Sequence, residues 1–307
     1  MFKHIAVGCD GSPGGRDAVA LGAAIASVTG ARLSLVGAFP PSFLPITGTS
    51  DRKTLRAEAT RALRRERDLL APDADIHTIA DASVARALRH YADRAHADLV
   101  IVGSSRRAPA AHVAIGRHGR QLLYDAPFAL GLAARDLHRG EFRLGVIGVG
   151  YDGGREAEVA LSTAADLARA AGARLEVRRV VEDRVPVLSA DAWVELADWS
   201  HERMWEPARC EALAAAQQAS GELGVVTDVS AKVGDPGYEM RELSEALDLL
   251  VVGSRRWGPV ARLVTGGVGE TLVRDASCSI LIVPRPPASR KRGAERGPER
   301  ERKPALA

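Results

Sequence analysis

The chain has 307 residues, 46% hydrophobic, 26% charged and only 4% aromatic, with a net charge of +3. That balance excludes a disordered or fibrous chain, and the length suggests about two domains. No apolar run approaches the roughly 18–20 residues of a membrane span, and Met1-Phe2-Lys3-His4 runs straight into Ile5-Ala6-Val7, so a cytoplasmic protein without a signal peptide or membrane partner is expected.

In chain order, residues 5–9 form an apolar run that reads as a buried strand. Residues 15–29 carry Ala18, Leu21, Ile25 and Val28 at helical spacing and stop at Gly30. A second strand follows over 32–39, then a charged amphipathic helix over 51–70. Next come a strand over 75–80, a helix over 83–96, a strand over 98–103, a helix over 117–124 and a fifth strand over 128–133. Five further strands are expected near 144–150, 174–181, 225–231, 248–253 and 279–283. Trp193, Trp199 and Trp205 recur every six residues among Glu195, Asp198, Glu202 and Glu206. They read as a helix with aromatic anchors, packed on its own fold or offered to a protein partner. From Arg285 onward there are eight Lys/Arg against three Glu, a local +5 that leaves residues 1–284 at −2. With Pro286, Pro287, Pro298 and Pro304 in it, this segment reads as a basic disordered tail, 286–307, and nucleic acid is not the expected partner of the near-neutral body. Cys9, Cys210 and Cys278 are too few and too scattered for a disulfide framework or a zinc site, and no metal site is expected.

Self-similarity organises the chain. Ile5-Ala6-Val7-Gly8-Cys9-Asp10-Gly11 returns as Ile147-Gly148-Val149-Gly150-Tyr151-Asp152-Gly153, and Gly30-Ala31-Arg32-Leu33 as Gly172-Ala173-Arg174-Leu175, both at an offset of 142. Leu99-Val100-Ile101-Val102-Gly103-Ser104 returns as Leu249-Leu250-Val251-Val252-Gly253-Ser254 at an offset of 150. Two copies of one domain are implied, over 1–138 and 139–285, with eight extra residues in the second. Each alternates strand and helix, so the fold class is α/β: two tandem five-stranded parallel sheets, Rossmann-like in layout. Such sheets bind ligands beyond the carboxyl ends of their strands, where strand order reverses.

The strand ends carry the candidate chemistry. Strand one ends in Asp10-Gly11 and Asp152-Gly153. A carboxylate there can accept from an adenine amine or a ribose hydroxyl, or it can cap the following helix. Strand four ends in Val102-Gly103-Ser104 and Val252-Gly253-Ser254, followed by loops bearing Arg106 and Arg107, or Arg255 and Arg256. Helix starts follow at Gly116-Arg117-His118-Gly119 and Gly266-Gly267-Val268-Gly269. Glycine-lined helix starts beside arginines suit an anion, or serve close packing. Gly148-x-Gly150-x-x-Gly153 matches a dinucleotide fingerprint, but its counterpart has Ala6, and the match reads as accidental.

The Asp-Gly turn, the Val-Gly-Ser strand end and the helix-capping glycine together resemble a tandem universal stress protein over about residues 1–284. The resemblance implies an adenine nucleotide alpha hydrolase-like fold, commonly paired through the fifth strand, and a stress-response role. In that family a Gly-x2-Gly-x9-Gly-(Ser/Thr) pattern holds ATP or AMP, with or without Mg. Carried over, Asp10 and Asp152 would face adenine or ribose, and Ala38 and Val180 would line the adenine pocket. Val102, Gly103, Val252 and Gly253 would lie along the nucleotide, and Gly116 and Gly266 would meet the phosphates. The sequence departs from the pattern at the phosphate end. Arg106 and Arg256 replace the second glycine. Arg117 and Gly267 replace the hydroxyl residue, and Gly119 and Gly269 the next one. Arg106, Arg117, Arg255 and Arg256 could supply phosphate contacts instead.

Two functions follow from these readings. One is a nucleotide-dependent stress regulator, with a homodimer reasonable from unpaired sheet edges. The other is a nucleotide-free interaction module using the Trp193–Trp205 helix or the tail. No catalytic residue is identified, and slow ATP hydrolysis stays open.

Overall fold

The strands carry clustered β-branched and leucine residues, and the helices that follow Ser12, Ser83 and Asp235 start where a small polar side chain accepts from a first-turn N–H. The computed structural model describes residues 1–41, 52–123, 127–183, 201–221, 223–254 and 267–284. The first half contains β1 (His4–Gly8), α1 (Pro13–Thr29), β2 (Arg32–Phe39), α2 (Arg52–Leu70) and β3 (Asp75–Ala80). It continues with α3 (Val84–Ala95), β4 (Leu99–Gly103), α4 (Arg117–Leu123) and β5 (Ala129–Ala133). The second contains β6 (Val146–Gly150), α5 (Arg155–Ala171), β7 (Arg174–Val181), α6 (His201–Gly221) and β8 (Thr227–Val233). It ends with α7 (Pro236–Ser244), β9 (Leu249–Gly253), α8 (Val268–Asp275) and β10 (Ser279–Val283).

The repeat reuses its local devices. α1 ends at Gly30 and α5 at Gly172, with φ of 69° and 64°, where the glycine N–H bonds the Ala26 or Ala168 carbonyl. Only a residue without a Cβ takes that left-handed turn cheaply. The N-termini differ. Ser12 caps α1 by accepting from Gly15 N, whereas Gly154 at the same place in α5 has no side chain to offer.

The ten strands form one sheet in the order β3-β2-β1-β4-β5-β10-β9-β6-β7-β8. Every pair is parallel except the join, where β5 and β10 run antiparallel with Leu130 opposite Ile282 and Leu132 opposite Ile280. The two expected five-stranded sheets are thus halves of one, and the fifth-strand pairing is made within the chain. Every residue of β5 and β10 is buried. Each leucine or isoleucine there contributes about 1.5–3 kcal/mol, so the seam is core.

Alternate strand residues feed two cores. Ile5, Val7, Leu35 and Ile101 face α1 and α2, and Ile147, Val149 and Leu175 face α5 and α6. Ala6, Val36, Val100, Leu250 and Ile280 face the other helices. Two further ties hold the join and the linker. Val113 N and Ile115 N donate to the Ala276 and Val273 carbonyls at 2.8 and 2.7 Å. Asp17, 1% exposed in α1, accepts from the N–H groups of Asp136 and His138 and lies 2.6 Å from His138 Nδ1. That carboxylate pins the linker after β5 to the first half.

Candidate functional site

In each half the strand order reverses between the first and fourth strands, β1 and β4 or β6 and β9. The two Asp-Gly turns lie at that edge. Asp10 is exposed, and its Oδ1 accepts from Ser12 N at 3.0 Å. Asp152 is exposed likewise, with Oδ1 accepting from Gly154 N at 2.8 Å. Each makes an Asx turn over a glycine of positive φ, Gly11 at 77° and Gly153 at 82°. The capping role of Asp10 falls instead to Ser12.

The fold brings the strand-four glycines against these turns. A Cβ on Gly103 would lie 2.0 Å from the Gly14 carbonyl oxygen, and one on Gly253 would lie 2.4 Å from that of Glu156. Cβ positions on Gly15 and Gly154 would in turn be 2.9 Å from Asp10 Oδ1 and Asp152 Oδ1. Asp10 and Gly103, and Asp152 and Gly253, therefore share one cleft edge in each half. Both strand-four glycines are required by backbone approach whatever the ligand. Ala38 and Val180 stand half-buried near the ends of β2 and β7; Val102 is buried and Val252 half-buried.

The first loop after strand four is tightly zipped. Ser104 Oγ donates to the Ala133 carbonyl at 2.6 Å, and Ser105 N to that of Ala114 at 2.7 Å. Arg135 donates from its guanidinium to the Ala108 carbonyl. Arg106 and Arg117 reach solvent, and Gly116 faces open space. Gly119 is packed against its own helix entry. It is buried in α4, where a Cβ would come within 2.8 Å of Ile115 Cγ1. In the second half Gly267 caps α8 with no side-chain bond, and Gly269 sits half-buried in its first turn. Arg255, Arg256, Gly266, Trp193, Trp199 and the 286–307 tail lie outside the described residues. Trp205 lies in α6, its indole N–H without a partner among the described residues.

The fingerprint glycines have a packing reason. A Cβ on Gly148 would lie 2.1 Å from Leu247 Cδ1, and one on Gly150 3.2 Å from Met240 Cε, so both serve the approach of α7 and the turn after it. The thiols are held protonated. Burial, with Glu66 and Asp10 nearby, pushes Cys9 up to about 11, and burial pushes Cys278 up further. Neither is a thiolate at neutral pH. The arrangement offers exposed carboxylates, backbone N–H groups and arginines, which is the chemistry of holding a ligand.

Sequence reasoning missed three chemistry-bearing residues. Glu66 is fully buried and paired with Arg16 Nε at 3.0 Å. Asp17 staples the linker. Arg179, itself half-buried, places a charged side chain within β7. The adjacent Arg178-Arg179 inside a strand was a visible signal. Glu66 and Asp17 sit in helices rich in charge, where nothing local marks a buried carboxylate.

The model described as the Universal stress protein family matches this chain twice, over residues 1–130 and 144–284. No curated protein matches it. Among solved structures, a universal stress protein from Archaeoglobus fulgidus DSM 4304 superposes with a TM-score of 0.62 at 15% identity, over 92% of this chain and 96% of that one. A protein of Pseudomonas aeruginosa UCBPP-PA14 described under the same family name gives 0.62 at 16% identity, over 92% and 94%. A universal stress protein solved in complex with cAMP covers 47% of this chain and 99% of its own, at 22% identity and a TM-score of 0.36.

Proposed function

The chain belongs to the universal stress protein family, and from that premise we propose that it binds ATP or AMP in at least one half and regulates a stress response through ligand-dependent protein association. The observation that carries this reading is the pairing, in both halves, of an exposed Asp-Gly turn with the strand-four glycine at the reversal of strand order. Asp10 or Asp152 would hold the adenine amine or the ribose hydroxyls. At the phosphate end, backbone N–H groups and arginines would stand in for the hydroxyls the sequence lacks. The protein would act in the cytoplasm. Because β5 already pairs with β10, a homodimer would form elsewhere, and the outer strands β3 and β8 are the available edges.

The test is nucleotide identity in heat-released extracts of the purified protein, with Asp10→Ala and Asp152→Ala beside it. ATP or AMP lost with one substitution supports the reading and locates the working half. No nucleotide, and no calorimetric heat on adding ATP or AMP, overturns it in favour of a nucleotide-free interaction module. The burial of Gly119 in packing favours that second reading for the first half.

A further inference from the structure

The two halves fill one place differently. In the first, the space between α1, α2 and the end of β2 is packed from the helices. Leu63 is fully buried against Gly37, where a Cβ would lie 3.2 Å from Leu63 Cδ1. Glu66 is fully buried beside it, with Arg16 Nε at 3.0 Å from Oε2 and Arg65 Nε at 3.4 Å from Oε1. The Arg65 guanidinium reaches over the turn at Gly11, whose Cβ position lies 3.3 Å from it. The cation over this turn has a carboxylate built in.

The second half keeps the cation and drops the carboxylate. At the offset of 142, Gly37 corresponds to Arg179. β2 and β3 pair Ser34 with Asp75, and β7 and β8 pair Glu176 with Asp228, which sets an offset of 153 for the third strand. The preceding helix keeps that offset in its burial pattern. Leu63 becomes the equally buried Ala216, Arg65 becomes Gln218, and Glu66 becomes Ala219. The Arg179 guanidinium now reaches over the turn, 3.8 Å from the Cβ position of Gly153. It is half-buried and makes no hydrogen bond or ion pair with any described residue. The truncated side chains open a cavity of about 580 Å³ bounded by Tyr151, Ser162, Arg179, Ala219 and Leu223, with Glu158 at its rim.

We infer that this cavity binds a small organic anion, one carboxylate or phosphate on a partly apolar body, paired with Arg179 where Glu66 stands in the first half. A partly desolvated guanidinium gains most from a forked oxyanion, and none of the described residues supplies one. The volume falls within the roughly 300–1,000 Å³ of small-molecule sites. Leu161, Ala219 and Leu223 supply apolar wall. Glu158, exposed at the rim, disfavours polyanions and selects a ligand with a donor opposite its charge. The site lies on the α5/α6 face of the sheet and shares the turn at Tyr151 and Gly153 with the nucleotide cleft proposed above.

The experiment is thermal unfolding of the full chain with millimolar glutamate or inorganic phosphate. Arg179→Gln, Ala219→Glu and Asp152→Ala are compared with the wild type. At least one probe raises the wild-type Tm by about 3 °C or more. Arg179→Gln abolishes that rise and Asp152→Ala leaves it. Ala219→Glu installs the internal carboxylate, so it melts higher without ligand and no longer responds. No response to any probe in the wild type, or an equal response in Arg179→Gln, overturns the inference. A response lost in Asp152→Ala but kept in Arg179→Gln also overturns it, while leaving the nucleotide reading intact. If Arg179→Gln fails to fold, the Ala219→Glu arm decides by itself.

Discussion

The first half closes the space between its α1 and α2 helices with an internal ion pair, while the second leaves the equivalent space between α5 and α6 open beside an arginine. Both halves descend from one pattern, and both place a guanidinium over the first-strand turn. The difference rests on a few positions, chiefly Leu63 and Glu66 against Ala216 and Ala219, and Gly37 against Arg179. A duplicated fold can thus hold its sheet unchanged while one copy invests a buried carboxylate in stability and the other leaves the counter-charge to be supplied. Buried charge without a partner is costly, which is why so small a change redirects a site.

The comparison can be broken at several points. The largest effect is expected where the halves agree. Gly103→Ala drives a Cβ into the Gly14 carbonyl, backbone against backbone, and should destabilise by about 3–5 kcal/mol in urea unfolding. Gly116→Ala, with nothing nearby, should stay within about 0.5 kcal/mol. A similar loss in both would mean the strand-four glycines are not held by the first turn.

Removing the first half's carboxylate comes next. Glu66→Ala leaves Arg16 and Arg65 around an apolar wall and should lower stability by about 2–3 kcal/mol, below the roughly 3–5 kcal/mol of a fully buried pair because Arg16 is one-third exposed. A neutral result would remove the basis for contrasting the two helix pairs. Asp17→Ala deletes three hydrogen bonds to the linker and should cost about 2–3 kcal/mol. It should also speed proteolysis between residues 134 and 143. Unchanged cleavage would show that the β5–β10 seam alone holds the linker.

A loss of similar size is set by pH. Cys9 titrates at about 11 in the fold against 9.0 in a free chain. The folded state therefore holds the proton more tightly. Its share of stability is intact below pH 9 and falls away as pH rises toward 11, by about 2–3 kcal/mol. Cys278 adds a loss of the same sign from the second half. Cys9→Ala should flatten only the first-half share, and an unchanged alkaline profile would assign the loss elsewhere.

Much of this was legible in the sequence because the signals are local. β2, β3, β7 and β10 begin and end where their apolar runs do. The α1 and α5 stops are written in Gly30 and Gly172. β8 begins two residues later than expected, at Thr227, because Val226 turns out to solvent, 72% exposed. The candidate cleft was half legible. Asp10 and Gly103 were marked by type and position, whereas Gly119 left anion binding and close packing both open, and the structure packs it against Ile115. A glycine chosen for a ligand and a glycine chosen for a neighbouring side chain look alike in one dimension.

Alone, the sequence determined the α/β class, the duplication and the strand-end motifs. Each of these follows from periodicity, repetition or a turn residue within a few positions. The tertiary structure decided what depends on residues far apart in the chain. It joined β5 to β10 in one ten-stranded sheet, buried Asp17 beneath a linker some 120 residues away, and set Glu66 on Arg16 where Ala219 leaves Arg179 without an ion-pair partner among the described residues. Burial and pairing belong to the packed chain, and a charged side chain acquires its meaning only from what surrounds it there.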